Sequence, residues 1–229
     1  MDFDYERDTK NHYKSVQVAM KYHESFNRAK MMKNLRYRLI ANREKKIVYK
    51  FLSMIPHKTV LDIPAGTGKL APVFKKLKAK VLSGDVSEAM LAIAKTTYEK
   101  LGYYENVDFV ICDAEKIFQT VHNRFESAVC LRLLHRVPPK VKTTILKQLA
   151  MIAPYSIISF GLDTFWHRFR RSLIRMLFNG EILKTPLVEK ISDIVYKINE
   201  HFEVINFKYV LPILSKEVVF LLRSLRYKR

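Results

Sequence analysis

Three apolar, β-rich runs with an aspartate at or just beyond the end of each narrow the folds open to this chain more than any other feature. The runs are Thr59 to Ile63, Lys80 to Ser83 and Val107 to Cys112, with Asp62, Asp85 and Asp113 at their ends. Between the first two, Lys69 to Leu77 has a helical pattern. After the second, Ser87 caps a helix whose apolar positions Met90, Leu91, Ala94, Tyr98 and Leu101 keep helical spacing until Gly102 stops it. Two further β-rich runs, Ser127 to Leu131 and Ser156 to Phe160, continue the alternation. Strands alternating with helices predict βαβ units and a parallel sheet, and in such sheets ligands bind at the carboxyl ends of the strands. The three aspartates therefore fall on the edge where a ligand would sit.

The first strand runs into Pro64-Ala65-Gly66-Thr67-Gly68 and then a helix. Gly66 and Gly68 remove the side chains that would keep a ligand from the backbone, and the helix start offers unpaired N–H groups to a carboxylate or phosphate. Gly-x-Gly alone is weak evidence. Asp85 adds weight, because it lies 23 residues after Asp62, near the spacing at which an acid meets ribose hydroxyls in nucleotide-binding βαβ units.

The flanks differ from this middle segment. Residues 10 to 54 are mostly helical in pattern, with breaks expected near Asn34 and Asn42. Helices are expected at 164–178 and 187–201, then a β-hairpin from 203–211 and 217–222 joined through Pro212 to Lys216. With 48% apolar residues and only 6 Gly and 8 Pro, the chain can bury a large core. Two cysteines, Cys112 and Cys130, exclude a disulfide scaffold and a four-cysteine zinc site, and fit a reducing compartment. The N-terminal residues lack a signal-peptide pattern, and no apolar run is long enough to span a bilayer, so a cytoplasmic location is expected. A formal net charge of +19 favours anionic partners without choosing among nucleic acid, acidic lipid and phosphorylated small molecules.

Four motifs in order resemble the class I S-adenosylmethionine (SAM)-dependent methyltransferases: Leu61-Asp62-Ile63-Pro64-Ala65-Gly66-Thr67-Gly68, Gly84-Asp85-Val86-Ser87-Glu88-Ala89-Met90, Cys112-Asp113-Ala114-Glu115, and Phe125 to His135. The resemblance covers roughly residues 35 to 160. It implies an α/β fold: a Rossmann-like, doubly wound, seven-stranded, mostly parallel sheet with an antiparallel last strand, an N-terminal helical lid and a helical insertion after strand 5. It divides a single domain, 1–229, into a lid (1–54), a SAM-binding core (55–162), an insertion (163–202) and a C-terminal hairpin (203–229). Ala65, Gly66 and Gly68 would flank the methionine part of SAM, Asp85 the ribose hydroxyls, and Asp113 with Ala114 the adenine. Asp62, Val86 and Met90 would complete the cofactor set, and Cys130-Leu131-Arg132 would lie beside the sulfonium. Pro64 departs from the family, most of whose members have Gly there.

Methyl transfer by in-line displacement needs alignment more than an extra catalyst, so no metal is required. His135 is the candidate general base of the fourth motif, since an imidazole can take a proton from a hydroxyl or phenol. The acceptor is expected to be a small molecule, lipid or glycan. The last two follow from a loose similarity to bacterial methyltransferases with a Leu-Asp-x-Pro-x-Gly-Thr-Gly loop and an Arg-Leu-Leu-His stretch, some associated with lipopolysaccharide-core kinases. The segment 165–178 holds the only Trp, Trp166, and four Arg; as an amphipathic helix it would suit an anionic inner membrane surface or an anionic acceptor. Two rivals stand. One is an RNA-binding methyltransferase or catalytically silent SAM-binding partner, motivated by the charge. The other is an NAD-dependent oxidoreductase, which the missing Tyr-x-x-x-Lys pair disfavours. Oligomeric state is not specified by the sequence.

Overall fold

The computed structural model describes residues 33–165, 168–169 and 188–227, together with 17 and 20. Its centre is one seven-stranded sheet of order β3-β2-β1-β4-β5-β7-β6. The strands are β1 (Thr59–Asp62), β2 (Lys80–Asp85), β3 (Val107–Ile111), β4 (Ser127–Cys130), β5 (Tyr155–Gly161), β6 (Phe202–Tyr209) and β7 (Glu217–Ser224). Pairings from β3 across to β5 are parallel, while β7 runs antiparallel to both β5 and β6. The expected fold class is therefore observed, and the late pair is the expected hairpin. The hairpin's second strand docks against β5 and carries the first to the sheet edge.

Strand periodicity sorts the core into two layers. Leu61, Ala128, Ile158, Phe220 and Leu222 point to one face, where α4 (Ile117–Thr120), α5 (Pro139–Ile152) and α6 (Ile191–Asn199) contribute Ile117, Ile145, Leu149, Ile194 and Ile198. Val60, Val81, Val129, Ile157, Val219 and Leu221 point to the other. There α1 (Lys33–Leu52), α2 (Ala71–Leu77) and α3 (Glu88–Lys100) contribute Ile47, Phe51, Phe74 and Tyr98. Strands buried on both faces explain the near-continuous apolar runs in the sequence.

Two expectations change. The break near Asn42 is absent, because α1 runs unbroken through it and fixes Ile40, Ile47, Val48 and Phe51 against the sheet. Burial of that stripe outweighs the weak helix propensity of one exposed Asn. The helix after β1 starts at Ala71 rather than Lys69, since residues up to Leu70 are used by the turn, and Pro72 suits its first positions. Most of the expected 165–178 helix, Trp166 included, and the lid before residue 33 lie outside the described residues. Of that helix, Phe165 and Phe169 are exposed and stack on each other at 6.2 Å between ring centroids.

Candidate active site

The sheet's winding reverses between β1 and β4, and the crevice there is the ligand site of open α/β sheets. A cleft of about 1010 Å³, including its solvent-open mouth, occupies it.

One wall is the turn after β1. Asp62 ends the strand, Ile63–Pro64 is a cis peptide, and the Ala65 N–H donates to Gly84 O at 2.8 Å, tying the turn to β2. Gly66 (φ +55°) and Gly68 (φ +72°) both adopt the left-handed conformation, for different reasons. A Cβ on Gly66 would meet nothing within 4 Å, so its backbone is bare toward the cleft it lines. On Gly68 it would lie 3.3 Å from Ala94 Cα and 3.4 Å from Thr97 Cβ, so this glycine serves the close approach of α3 to the turn.

Asp85 locks the wall. Its Oδ2 accepts from the Gly66 N–H at 2.8 Å and its Oδ1 from the Ser87 N–H at 2.9 Å. Burial raises its pKa while those N–H groups hold it down. The Val86 N–H also acts on this carboxylate, and since a carboxylate has about four lone-pair directions, one acceptor position remains for a hydroxyl donor. Ser87 caps α3 as expected, accepting from the Met90 N–H at 3.2 Å. Asp62 differs: it is 3% exposed, lines the cleft, and its Oδ2 accepts no hydrogen bond. Burial, then the nearby Asp85 charge, pushes its pKa well up. A buried carboxyl with an unsatisfied oxygen costs about 1–3 kcal/mol, and a cationic or N–H donor in the cleft would relieve it.

The opposite wall is built from side chains. Arg132, just after β4, has φ +60°, rare for a residue with a Cβ. The Ser159 hydroxyl accepts from its backbone N–H at 2.7 Å, and its guanidinium grips Glu44 of α1 with both arms, Nε to Oε1 at 2.9 Å and Nη2 to Oε2 at 2.6 Å. Glu217, which opens β7, comes within 3.8 Å of the same guanidinium. Burial and Glu217 raise Glu44, whereas at Glu217 the charge of Arg132, with Glu44, His135 and Lys216 acting in the same direction, outweighs burial and holds its carboxyl down. Lys45, Lys69 and Arg136 complete the wall, each with its pKa lowered by burial.

Of the residues expected at the site, Asp62, Ala65, Gly66, Asp85, Val86, Met90, Leu131 and Arg132 line this cleft. Gly68, Asp113, Ala114 and Cys130 do not. Gly68 backs the turn onto α3, Asp113 Oδ1 accepts from the Glu115 N–H at 3.0 Å, and Ala114 and Cys130 join the core face shared with Leu61 and Ile158. Burial lifts the thiol pKa of Cys112 to about 11 and that of Cys130 further, so neither is a thiolate. His135 is 5% exposed, does not line the cleft, and packs on Gly161, where a Cβ would come within 2.8 Å of its own Cβ. Burial lowers its pKa to about 4. Among the described residues, no group of three or more His, Cys, Asp or Glu could hold a metal ion, and no helix is long and apolar enough to cross a membrane.

Sequence reasoning missed Glu44, Lys45, Lys69 and Arg136. A signal existed for the first, which is the sole acid of a 20-residue, otherwise basic helix. An isolated acid in such a helix invites a search for a buried cation.

Comparison with known proteins agrees with this geometry. Residues 60–153 match the family described as "Methyltransferase domain". The ubiquinone/menaquinone biosynthesis C-methyltransferase UbiE of Ectopseudomonas oleovorans is 39% identical over 61 residues, 25% of this chain and 36% of that protein. A ubiquinone biosynthesis O-methyltransferase of Pseudomonas paraeruginosa is 33% identical over 81 residues, 35% of this chain and 34% of the relative. The chain thus spans about a third of the length of these curated relatives. Among solved structures, magnesium protoporphyrin IX methyltransferase from Synechocystis PCC 6803, with bound S-adenosylhomocysteine (SAH), superposes with a TM-score of 0.79 at 19% identity, covering 96% of this chain and 100% of that one. At that identity the likeness speaks for the fold. With the sheet order, it shows that the chain has the fold of that methyltransferase structure, and residues 60–153, about two fifths of the chain, are the part that matches the methyltransferase domain family.

Proposed function

We propose that the chain binds SAM in this cleft and catalyses methyl transfer to a small-molecule acceptor. The observation that carries the reading is the pair of buried acids on the turn wall: Asp62 with an unsatisfied oxygen, and Asp85 holding the bare backbone of Gly66. That combination fits a ligand with both a cationic nitrogen and vicinal hydroxyls, which SAM has. When bound, SAM supplies an electrophilic methyl on a sulfonium. Asp62 would take the ammonium, Ala65 and Gly66 the methionine backbone, and Asp85 the ribose hydroxyls, with Val86 and Met90 beside the base. Leu131 and Arg132 border the route from cofactor to acceptor. The relatives are named for ubiquinone and menaquinone biosynthesis and for magnesium protoporphyrin IX, which supports a small-molecule acceptor.

The protein's own contribution is alignment and exclusion of water. Arg132 ties α1 to β4 and β7 through Glu44 and Glu217, fixing the lid-side wall over the cleft, and holding reactants aligned is worth several kcal/mol of barrier. His135, buried and neutral above its depressed pKa, enters as a packing residue; the proton-accepting role expected of it has no geometric support here. Turnover of a bacterial small-molecule extract with methyl-labelled SAM tests the reading. Label should appear in an extract component with wild-type protein and be largely lost with Asp85→Ala. No transfer by a protein that binds SAM would favour a silent SAM-binding partner.

A further inference from the structure

We propose that the outer face of α1 and the β6–β7 loop (210–216) form one basic, apolar surface that docks on an anionic lipid bilayer. The surface stands apart from the methyl-transfer reading. Leu35 and Leu39, one turn apart on α1, are exposed, as are Ile213 and Leu214 of the loop; Leu35 is 56% and Ile213 67% exposed. The Arg36 Nε–H donates to Leu214 O at 2.9 Å, so helix and loop adjoin although they are far apart in sequence. Residues 35–43 and 204–216 hold five cations, Arg36, Arg38, Arg43, Lys208 and Lys216, and no acid. Lys208 pairs with Val219, which packs on the face that α1 covers, so it stands on α1's side of the sheet.

Among the described residues, the acids of the adjoining elements are engaged elsewhere. Glu44 and Glu217 are buried on Arg132, and Asp62 and Asp85 stand on the opposite wall of the cleft. Beside β5, Asp163 faces Arg168 at 3.7 Å, and Glu189 is held by Lys142 and Lys197. Exposed aliphatic side chains among cations mark a docking face. A second copy would bring like charges together across a two-fold axis. An RNA would need rings to stack on, but the loop has none and the ring on this part of α1, Tyr37, has Arg36 over it. A bilayer answers both features, with acidic headgroups at the cations and the acyl boundary at Leu35, Leu39 and Ile213. Ala41, Glu44 and Lys45 line the cleft further along α1, so the bilayer would lie beside its mouth.

The test is co-sedimentation of the full-length protein with vesicles of phosphatidylcholine, alone or with about 30% phosphatidylglycerol. Binding to the anionic vesicles should be at least about tenfold stronger, and should fall at least about tenfold between about 0.05 M and 0.5 M salt. Arg38→Gln with Lys208→Gln should weaken it about tenfold, and so should Leu35→Ser with Ile213→Ser. All four positions are exposed, and should one pair fold poorly the other still decides. Lys50→Gln with Lys100→Gln removes equal charge from the far ends of α1 and α3 and should change binding by less than about threefold. No preference for anionic vesicles, or a loss in this control equal to that of the first pair, would overturn the inference. Binding that both pairs keep would also overturn it and place the contact elsewhere, such as residues 165–178. Tighter binding of a single-stranded oligoribonucleotide through the same residues would overturn it in favour of RNA.

Discussion

The two walls of the cleft are made by different means. On the turn wall, backbone does the work: N–H groups of Gly66 and Ser87 are fixed by one carboxylate, and glycine leaves the main chain bare. On the opposite wall, side chains do it, with Arg132 holding together α1, β4 and β7. Backbone geometry is insensitive to most substitutions, so the first wall suits an invariant ligand such as a cofactor. Side-chain identity can be changed one residue at a time, so the second suits an acceptor that differs between relatives. The difference also predicts where each wall breaks.

The largest effect should come from Arg132→Met, which strands Glu44 and Glu217 in a buried site. Loss of one partner from such a group costs about 3–5 kcal/mol, so chemical denaturation should show a drop of that order. A loss below about 1 kcal/mol would mean the cluster is better hydrated than its burial suggests.

Next is His135. Its neutral burial contributes stability that is fully present above the unfolded pKa near 6.5 and is lost as pH falls toward the folded value of about 4. Over that window the loss approaches about 3 kcal/mol. Glu217, Lys216, Arg132 and Lys142 all act on the ring, so the comparison is with His135→Gln, whose stability should fall less steeply between those pH values. Parallel curves for the two proteins would contradict the assignment.

On the turn wall, Asp85→Ala should weaken SAH binding by about 2–3 kcal/mol, as loss of charge-assisted hydrogen bonds does. Unchanged affinity would remove Asp85 from the ligand. The smallest effect separates the two glycines. Gly66→Ala should cost about 1–2 kcal/mol of stability from its positive φ alone. Gly68→Ala should cost more, because its Cβ also presses on Ala94 and Thr97. Equal losses would mean that α3 yields freely.

The same contrast governs what could be read in the sequence. The turn wall was legible because its parts lie in one βαβ unit: the Asp62, Gly66 and Asp85 spacing is set by a strand, a turn and a helix of ordinary length. Strand directions and the late hairpin followed from periodicity. The opposite wall was not legible, because Arg132 and Glu44 are 88 positions apart and nothing local marks their pairing. For the same reason, the docking of β7 against β5 had no signal in the hairpin itself. Cys130 was placed at the site by its motif, yet strand alternation turns its side chain into the core and leaves Leu131 and Arg132 facing the cleft. Asn42 misled in the other direction, since a local breaker sits on the exposed face of a helix held by its buried one.

The central claim, that this cleft is a SAM site, is tested most directly by calorimetric titration of the wild-type protein with SAH and, separately, with NADH. The account predicts one SAH bound per chain in the micromolar range and no measurable heat from NADH at the same concentrations. Saturable NADH binding without SAH binding would contradict it and return the Gly-x-Gly turn to the dinucleotide reading.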